Sequence, residues 1–308
     1  MKAYKGFNKD MTCRGFQYKE GGEYETERAE LCKCGFHACE MPLNVWDHYP
    51  PVDGNRYCEV EQSGDVKRDG AGGKSVSTKI KVGAEIGIPG LAKAQIEWTR
   101  NQISKDKGEQ GGDCAKLAGG DYAKLAGGYG AKLAGGSHAM LAGGDCAKLA
   151  GGSHAKLAGG DYAKLAGGDC AMLAGGDYAM LAGGDGAKLA GGDYAMLAGG
   201  DYAMLAGGDG AKLAGGDGAK LAGGDGAKLA GGDYAKLAGG KSSICVGGAK
   251  SMAKGGLYSV LVLTDWEWVG NDYVPRAVKA IIIDGKTYKP DTWYELRGGK
   301  VVEAQKED

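Results

Sequence analysis

The feature that most constrains this chain is a period of eight residues. Across residues 113–240 it reads D-(Y/G/C/H)-A-(K/M)-L-A-G-G sixteen times with no insertion. With the positions labelled a to h, position a is Asp in thirteen copies, the exceptions being Tyr129, Ser137 and Ser153. Positions c, e, f, g and h never vary, and position d is Lys eleven times and Met five times. Two glycines in every eight residues forbid a continuous helix, and the six between them are too few to nucleate one. Collagen needs glycine at every third position. The calcium-binding β-roll repeat has nine residues, not eight. An extended chain fits: Ala at c and Leu at e fall on one face, and b, d and f on the other. Gly-Gly-Asp is expected to form the turn, because glycine accepts positive φ.

Eight residues do not close a coil, but two octads do, as two short strands back to back. The expected fold is therefore mostly β, a β-solenoid of about eight 16-residue coils. At about 4.8 Å per coil the rod is roughly 38 Å long. Its sixteen inward leucines, each worth about 1.5–3 kcal/mol when buried, offset the entropy of the glycines. A disordered low-complexity segment is the competing reading. It needs neither strict register nor an invariant Leu. The flanks KDKGEQGG, KSSICVGG and AKSMAKGG decay away from the consensus, as terminal coils do where they merge into caps.

The octad as it stands, D-G-A-K-L-A-G-G, resembles that of bacterial ice-nucleation proteins in period and pattern. The resemblance implies a solenoid of sixteen-residue coils and, as an alternative function, the ordering of water. The chain departs from that family in one respect. The outward Thr-x-Thr array is replaced by Lys-Leu-Ala, as at Lys124, Leu125 and Ala126, so strong ice nucleation is not expected.

Residues 1–105 are expected to form an α+β cap domain. Strands are predicted in alternating stretches such as Ser77 to Ile88, and a short helix from Leu91 to Ile103. The segments KAYKGF, CRGFQY, CKCGFHAC and RYCEVEQSGD resemble an uncharacterised domain of phage and prophage proteins, which also carry octad arrays and a carboxyl-terminal segment like DGKTYKPDTWYELRGGKVVEA. Residues 106–256 are read as the solenoid and 257–308 as a small β cap. In the latter, LYSVLVLT and AVKAIIID are strands, Asp284-Gly285 is a turn, and Trp293 and Tyr294 cover the last coil.

Charge excludes some roles. With 38 basic and 39 acidic residues the net charge is −1, which gives no general drive toward nucleic acid or anionic membrane. No apolar run spans a bilayer and the start lacks a signal-peptide core. The expected location is the cytoplasm of a bacterial host, or a phage particle. Nine cysteines, an odd number unevenly spread, point to reduced thiols.

Several constellations are candidates for chemistry. Cys32, Cys34, His37 and Cys39 form C-x-C-x2-H-x-C, a donor set suited to zinc, with Cys13 or Cys58 to complete it; cysteines packed in a small β domain are the alternative. In sixteen-residue coils His138 and His154 stack, with Cys170 next in line, and such a ladder offers a second metal position. Apart from zinc no cofactor is expected. Gly70, Ala71, Gly72, Gly73, Lys74 and Ser75 resemble a phosphate-binding loop, but Arg68 stands where that motif needs glycine. Gly35-Phe36-His37 followed by Tyr49 is similar to a rhythm of ADP-ribosyltransferase-like folds, yet no catalytic Glu can be assigned, and the chain is read as a non-enzyme. Eleven repeat lysines against thirteen aspartates weigh both against a phosphate-binding stripe and against mimicry of DNA.

Sorting the octads by parity gives one more candidate. On one face Tyr162, Tyr178 and Tyr194 fall in consecutive coils, with Met180 and Met196 at position d and lysines around them. A rimmed apolar patch of this composition marks an interface. The expected function is thus a rigid scaffold or docking rod. Its expected partner is a second copy, in a side-by-side dimer, or another protein.

Overall fold

A computed structural model of the chain describes residues 1–69 and 73–304. The first seven strands are β1 (Lys2–Phe7), β2 (Thr12–Cys13), β3 (Phe16–Gln17), β4 (Glu23–Glu25), β5 (Phe36–Cys39), β6 (Arg56–Arg68) and β7 (Lys74–Glu85). All except the β2–β3 pair form one antiparallel sheet ordered β4-β7-β5-β1-β6, and β6 pairs back onto β7. The sheet therefore closes on itself as a small barrel. Ala3, Phe7, Phe36, Ala38, Val60, Ile80 and Val82 fill it. Two 3-10 turns, Pro42–Asp47 and Pro51–Asp53, lie between β5 and β6, and the helix α1 (Gly87–Lys105) follows β7.

Beyond α1 comes β8 (Glu109–Gln110), then one strand of three or four residues per octad, from β9 (Lys116–Ala118) to β24 (Lys236–Ala238). The last elements are β25 (Ile244–Ala249), β26 (Met252–Lys254), β27 (Val260–Val269), β28 (Asp272–Ile282), β29 (Tyr294–Arg297) and β30 (Lys300–Glu303). Even-numbered strands from β8 to β26 stack in one parallel sheet and odd-numbered strands from β9 to β27 in the other. Register advances by sixteen residues, as in Leu165↔Leu181 and Leu181↔Leu197. The protein is a β-solenoid of about 10 turns. The expected eight coils are extended because the decayed flanks keep the strand pattern. β8 precedes the octads, Ile244 and Met252 stand in register with Lys228 and Lys236 of the coils before them, and Val260 stands in register with Ile244.

From Leu125 to Leu237 the octad leucines point inward and are at most 3% exposed, and the Ala side chains at c from Ala131 onward are fully buried. The turn differs from expectation. The left-handed residue is position b, with φ between 55° and 68° in all sixteen octads, and the glycines at g and h are not left-handed. They are required by space. A Cβ on Gly191, at g, would lie 2.6 Å from the Ala195 Cβ, and one on Gly192, at h, would lie 2.9 Å from the Asp177 backbone nitrogen and still nearer its carboxylate. Those carboxylates form a ladder of their own. Each octad Asp accepts a hydrogen bond from the backbone N–H sixteen residues later, as Asp177 does from Asp193 at 2.9 Å.

The N-terminal domain is not a cap on the end of the rod. It lies along the outer face of the even sheet. Leu91, Ala92 and Ala94 of α1, with Leu43, Val45, Trp46 and Val52, pack against Ala190, Ala206, Ala222 and Ala238. Ile96 and Ile103 pack against Ala142, Ala158 and Ala174. Leu91, Ala92, Ile96 and Ile103 share one side of the helix, and the octad face offers alanines, Met140, Met172, Met204 and lysine stems, a shallow apolar bed. The C-terminal region does close the rod. β28 pairs antiparallel with β27, the β29–β30 hairpin pairs antiparallel with β26, and Tyr294 is buried in the solenoid core. The Asp284 carboxylate accepts from the N–H groups of Lys286, Thr287 and Tyr288, which makes the expected turn.

Candidate surface for partner docking

The two sheets present nearly the same outward residues, but only the even one is covered. Among the even octads Ala142, Ala158, Ala174, Ala190 and Ala206 are buried. Their counterparts Ala134, Ala150, Ala166, Ala182 and Ala198 are exposed. The bare face is a long furrow with the exposed alanines along its floor. Lys132, Lys148, Lys164, Met180, Met196, Lys212 and Lys228 flank them, and Ile244 and Val246 lie toward the C-terminal end. There it becomes wholly aliphatic. Ile244 and Val246 are exposed, Val260 and Val262 continue their rows, and Ile282 and Ala280 extend them through the antiparallel partner strand, where Val278 is exposed beside them.

The covered face shows what such a surface accepts. Beyond the apolar contacts, the Trp98 ring lies 5.5 Å from Lys156 Nζ. Asp106 pairs with Lys124, and Asp47 pairs with Lys188, each at 2.6 Å. The Arg100 guanidinium donates to the Gly143 carbonyl oxygen. Burial beneath the N-terminal domain pushes the Lys156 amine below its usual range.

Tyr162, Tyr178 and Tyr194 form one stack, with ring centroids 5.0 and 5.1 Å apart. Because position b is the left-handed turn residue, this stack stands at the corner of the rod. It runs alongside the row holding Met180 and Met196 and is not one flat patch with it. Met196 is exposed and Met180 half-buried. At the corresponding corner of the other sheet Tyr122, His138 and His154 stack, with centroids 4.9 Å apart at each step. Cys170 is next in that ladder.

The metal positions read from the sequence are not assembled. Among the described residues no group of three or more His, Cys, Asp or Glu side chains is placed to hold a metal ion. The reason for Cys32, Cys34, His37 and Cys39 is local. Cys32 is an exposed left-handed residue whose N–H donates to His37 Nε2 at 2.9 Å, so that nitrogen is already engaged. Cys34 sits in a bridge with Glu30. Cys39 is buried among Leu43 and Trp46, and burial pushes its thiol up to about 11. For His138, His154 and Cys170, stacking in one line leaves the side chains side by side without converging.

A second concavity, of about 1050 Å³, lies in the barrel domain. It is lined by Gly35, Phe36, His37 and Tyr49, the residues of the noted rhythm, together with Lys5, Cys13, Arg14 and Lys74. Gly70, Ala71 and Gly72 of the phosphate-loop-like segment lie outside the described residues. Its Ser75 is buried in β7, where the hydroxyl donates to Gln62 Oε1 at 2.6 Å.

Sequence reasoning missed the aliphatic end of the bare face. The signal was present in LYSVLVLT, where consecutive residues are apolar instead of alternating. Such a run belongs to a strand with two apolar faces, and here one of those faces is open. No curated protein and no solved structure matches the chain. Residues 1–94 match one family model, that of the domain of unknown function DUF7666.

Proposed function

We propose that the protein is a structural interaction module, a rigid rod that holds its own N-terminal domain on one broad face and docks another protein on the other. The observation that carries this reading is the asymmetry between two near-identical faces, one covered along its length and one bare. The occupant we assign to the bare face is an amphipathic helix flanked by acidic side chains. This follows from the covered face, where an apolar helix side meets the alanines and carboxylates meet the lysines. Charge also disfavours a second copy. Two bare faces brought together would oppose lysine rows, and like charges set against each other count against association, less so in salt. The resemblance to phage and prophage proteins supports an origin in a phage or prophage, with the rod acting in the bacterial cytoplasm or the phage particle.

The test uses the full chain and two synthetic helices with the same apolar stripe, one flanked by glutamates and one by lysines. The glutamate peptide should bind saturably, weaken as salt is raised, and be lost in Ala182→Arg. Light scattering should give the mass of a single chain for the wild type and for Tyr178→Ser/Tyr194→Ser. Equal binding of both peptides, or of neither, would overturn the assignment. A doubled mass abolished by Ala182→Arg would give the face to a second copy instead.

A further inference from the structure

The concavity in the barrel domain gathers positive charge that no carboxylate neutralises. Lys5 lies in its wall, only 5% exposed. Its ammonium donates to the His37 carbonyl oxygen at 2.8 Å and to Cys13 Sγ at 3.4 Å, and it has no acidic partner among the described residues. Tyr49 donates to the same sulfur at 3.0 Å. The acidic side chains of the lining are engaged elsewhere. Glu23 pairs with Lys81, Glu25 with Lys79 and Asp47 with Lys188. Arg14 and Lys74 also line the concavity and form no ion pair among the described residues. Lys5, Arg14 and Lys74 all approach His37. Together with burial, which is the larger cause, they hold its imidazole below the usual range, so it is not a fourth cation at neutral pH.

An unneutralised buried cation is expensive, and a cleft that keeps three cations together is arranged for an anion. A dianion matches them better than a monoanion, and a phosphate monoester carries about −1.5 to −2 charges near pH 7. The neighbouring wall is aromatic. Phe16, 47% exposed, stands edge-on to Tyr18 and Tyr24, with centroids 4.8 and 5.4 Å away, leaving ring surface free for a planar group. We propose that this concavity binds the phosphate monoester of a small aromatic molecule, with the phosphate at Lys5, Arg14 and Lys74 and the ring against Phe16.

The experiment is calorimetric titration of the full chain with phenyl phosphate, phenol and inorganic phosphate. Phenyl phosphate should bind at one site per chain. Inorganic phosphate should bind at least tenfold more weakly, and phenol should give no saturable heat. Arg14→Gln and Lys74→Gln change surface-accessible side chains, so they should fold normally, checked by circular dichroism. Each should weaken phenyl phosphate about tenfold, which is 1.4 kcal/mol. Phe16→Ser should erase the advantage over inorganic phosphate. The proposal is overturned if phenyl phosphate does not bind, if both charge variants bind it like wild type, or if phenol or inorganic phosphate binds as tightly.

Discussion

The two glycines of each octad can be tested at a single position with a control built into the rod. Gly192 stands at h in the middle of the array, and Gly120 holds the same position in the first octad. Neither is left-handed. A Cβ on Gly120 meets nothing within 4 Å, because no octad turn stacks against it from the preceding coil. A Cβ on Gly192 would be 2.9 Å from both the Asp177 nitrogen and the Gly176 carbonyl carbon, and would overlap the Asp177 carboxylate. That carboxylate must then leave the Asp193 N–H it accepts from at 2.9 Å. A hydrogen bond to a charged group contributes about 1.5–3 kcal/mol, and forcing backbone apart in a packed interior costs about 1–3 kcal/mol more. Gly192→Ala should therefore cost roughly 2.5–6 kcal/mol. Gly120→Ala should fall within about 0.5 kcal/mol of wild type or be slightly stabilising, because it restricts the unfolded chain. Thermal unfolding followed by circular dichroism should separate the two by on the order of 5–10 °C. Equal melting temperatures would refute the argument that space, not φ, holds these glycines.

Leu181 is 2% exposed, so Leu181→Ala should cost about 2–5 kcal/mol, and Leu181→Asp should unprotect the amides of neighbouring coils in hydrogen exchange; unchanged protection would place this leucine outside the core. Burial pushes the Lys5 amine below its ordinary 10.5, so the penalty for the buried ammonium is full below the folded value and fades as pH rises toward 10.5. Lys5→Met should thus exceed wild type in urea midpoint at low pH by more than at pH 10.5, and a gap that widens with pH would contradict the assignment. Mobile lysines and methionines stand on the bare face where ice-nucleation repeats carry threonines, so droplets containing the protein should freeze with the buffer control. Zinc added to the full chain should give no saturable heat, since neither the Cys32 cluster nor the His138 ladder converges; a one-site isotherm lost in His138→Ala would reverse that reading.

The rod was legible because translation does most of the work. Once two octads close a coil, residue i must stack on i+16, and the alignments of Tyr162 with Tyr178 and of His138 with His154 follow without further information. The role of each glycine was not legible. A repeat pattern states that position h tolerates no side chain, but whether φ or a neighbouring coil forbids it depends on the path of the turn. Among the described residues the metal donors are not brought together, for a related reason. C-x-C-x2-H-x-C treats neighbours in sequence as neighbours in space, whereas β5 turns Phe36 into the barrel core and Cys39 toward Leu43 and Trp46. Likewise the phosphate-like concavity draws Lys5, Arg14, His37 and Lys74 from four separate segments, and no local pattern joins them.

The difference between the two faces has a more particular origin. Both sheets are written in the same octad, and the covered one differs chiefly in Met140, Met172 and Met204, which pack against the N-terminal domain. The choice lies in α1 and the 3-10 turns, whose apolar residues need a bed, and in the point where the chain enters the first coil. β8 joins the even sheet directly after α1, so the helix lies along the face of the sheet that the chain then enters. The opposite sheet is left with eight exposed or half-buried Lys and Met side chains at position d and an aliphatic end. A rod that needed only stiffness would have no use for an open apolar end such as Val278 and Ile282, whereas a rod that docks a partner requires one. That residue-level distinction favours docking over a spacer role, and it makes Ala182→Arg, which alters the face without touching the leucine core, the variant that separates them.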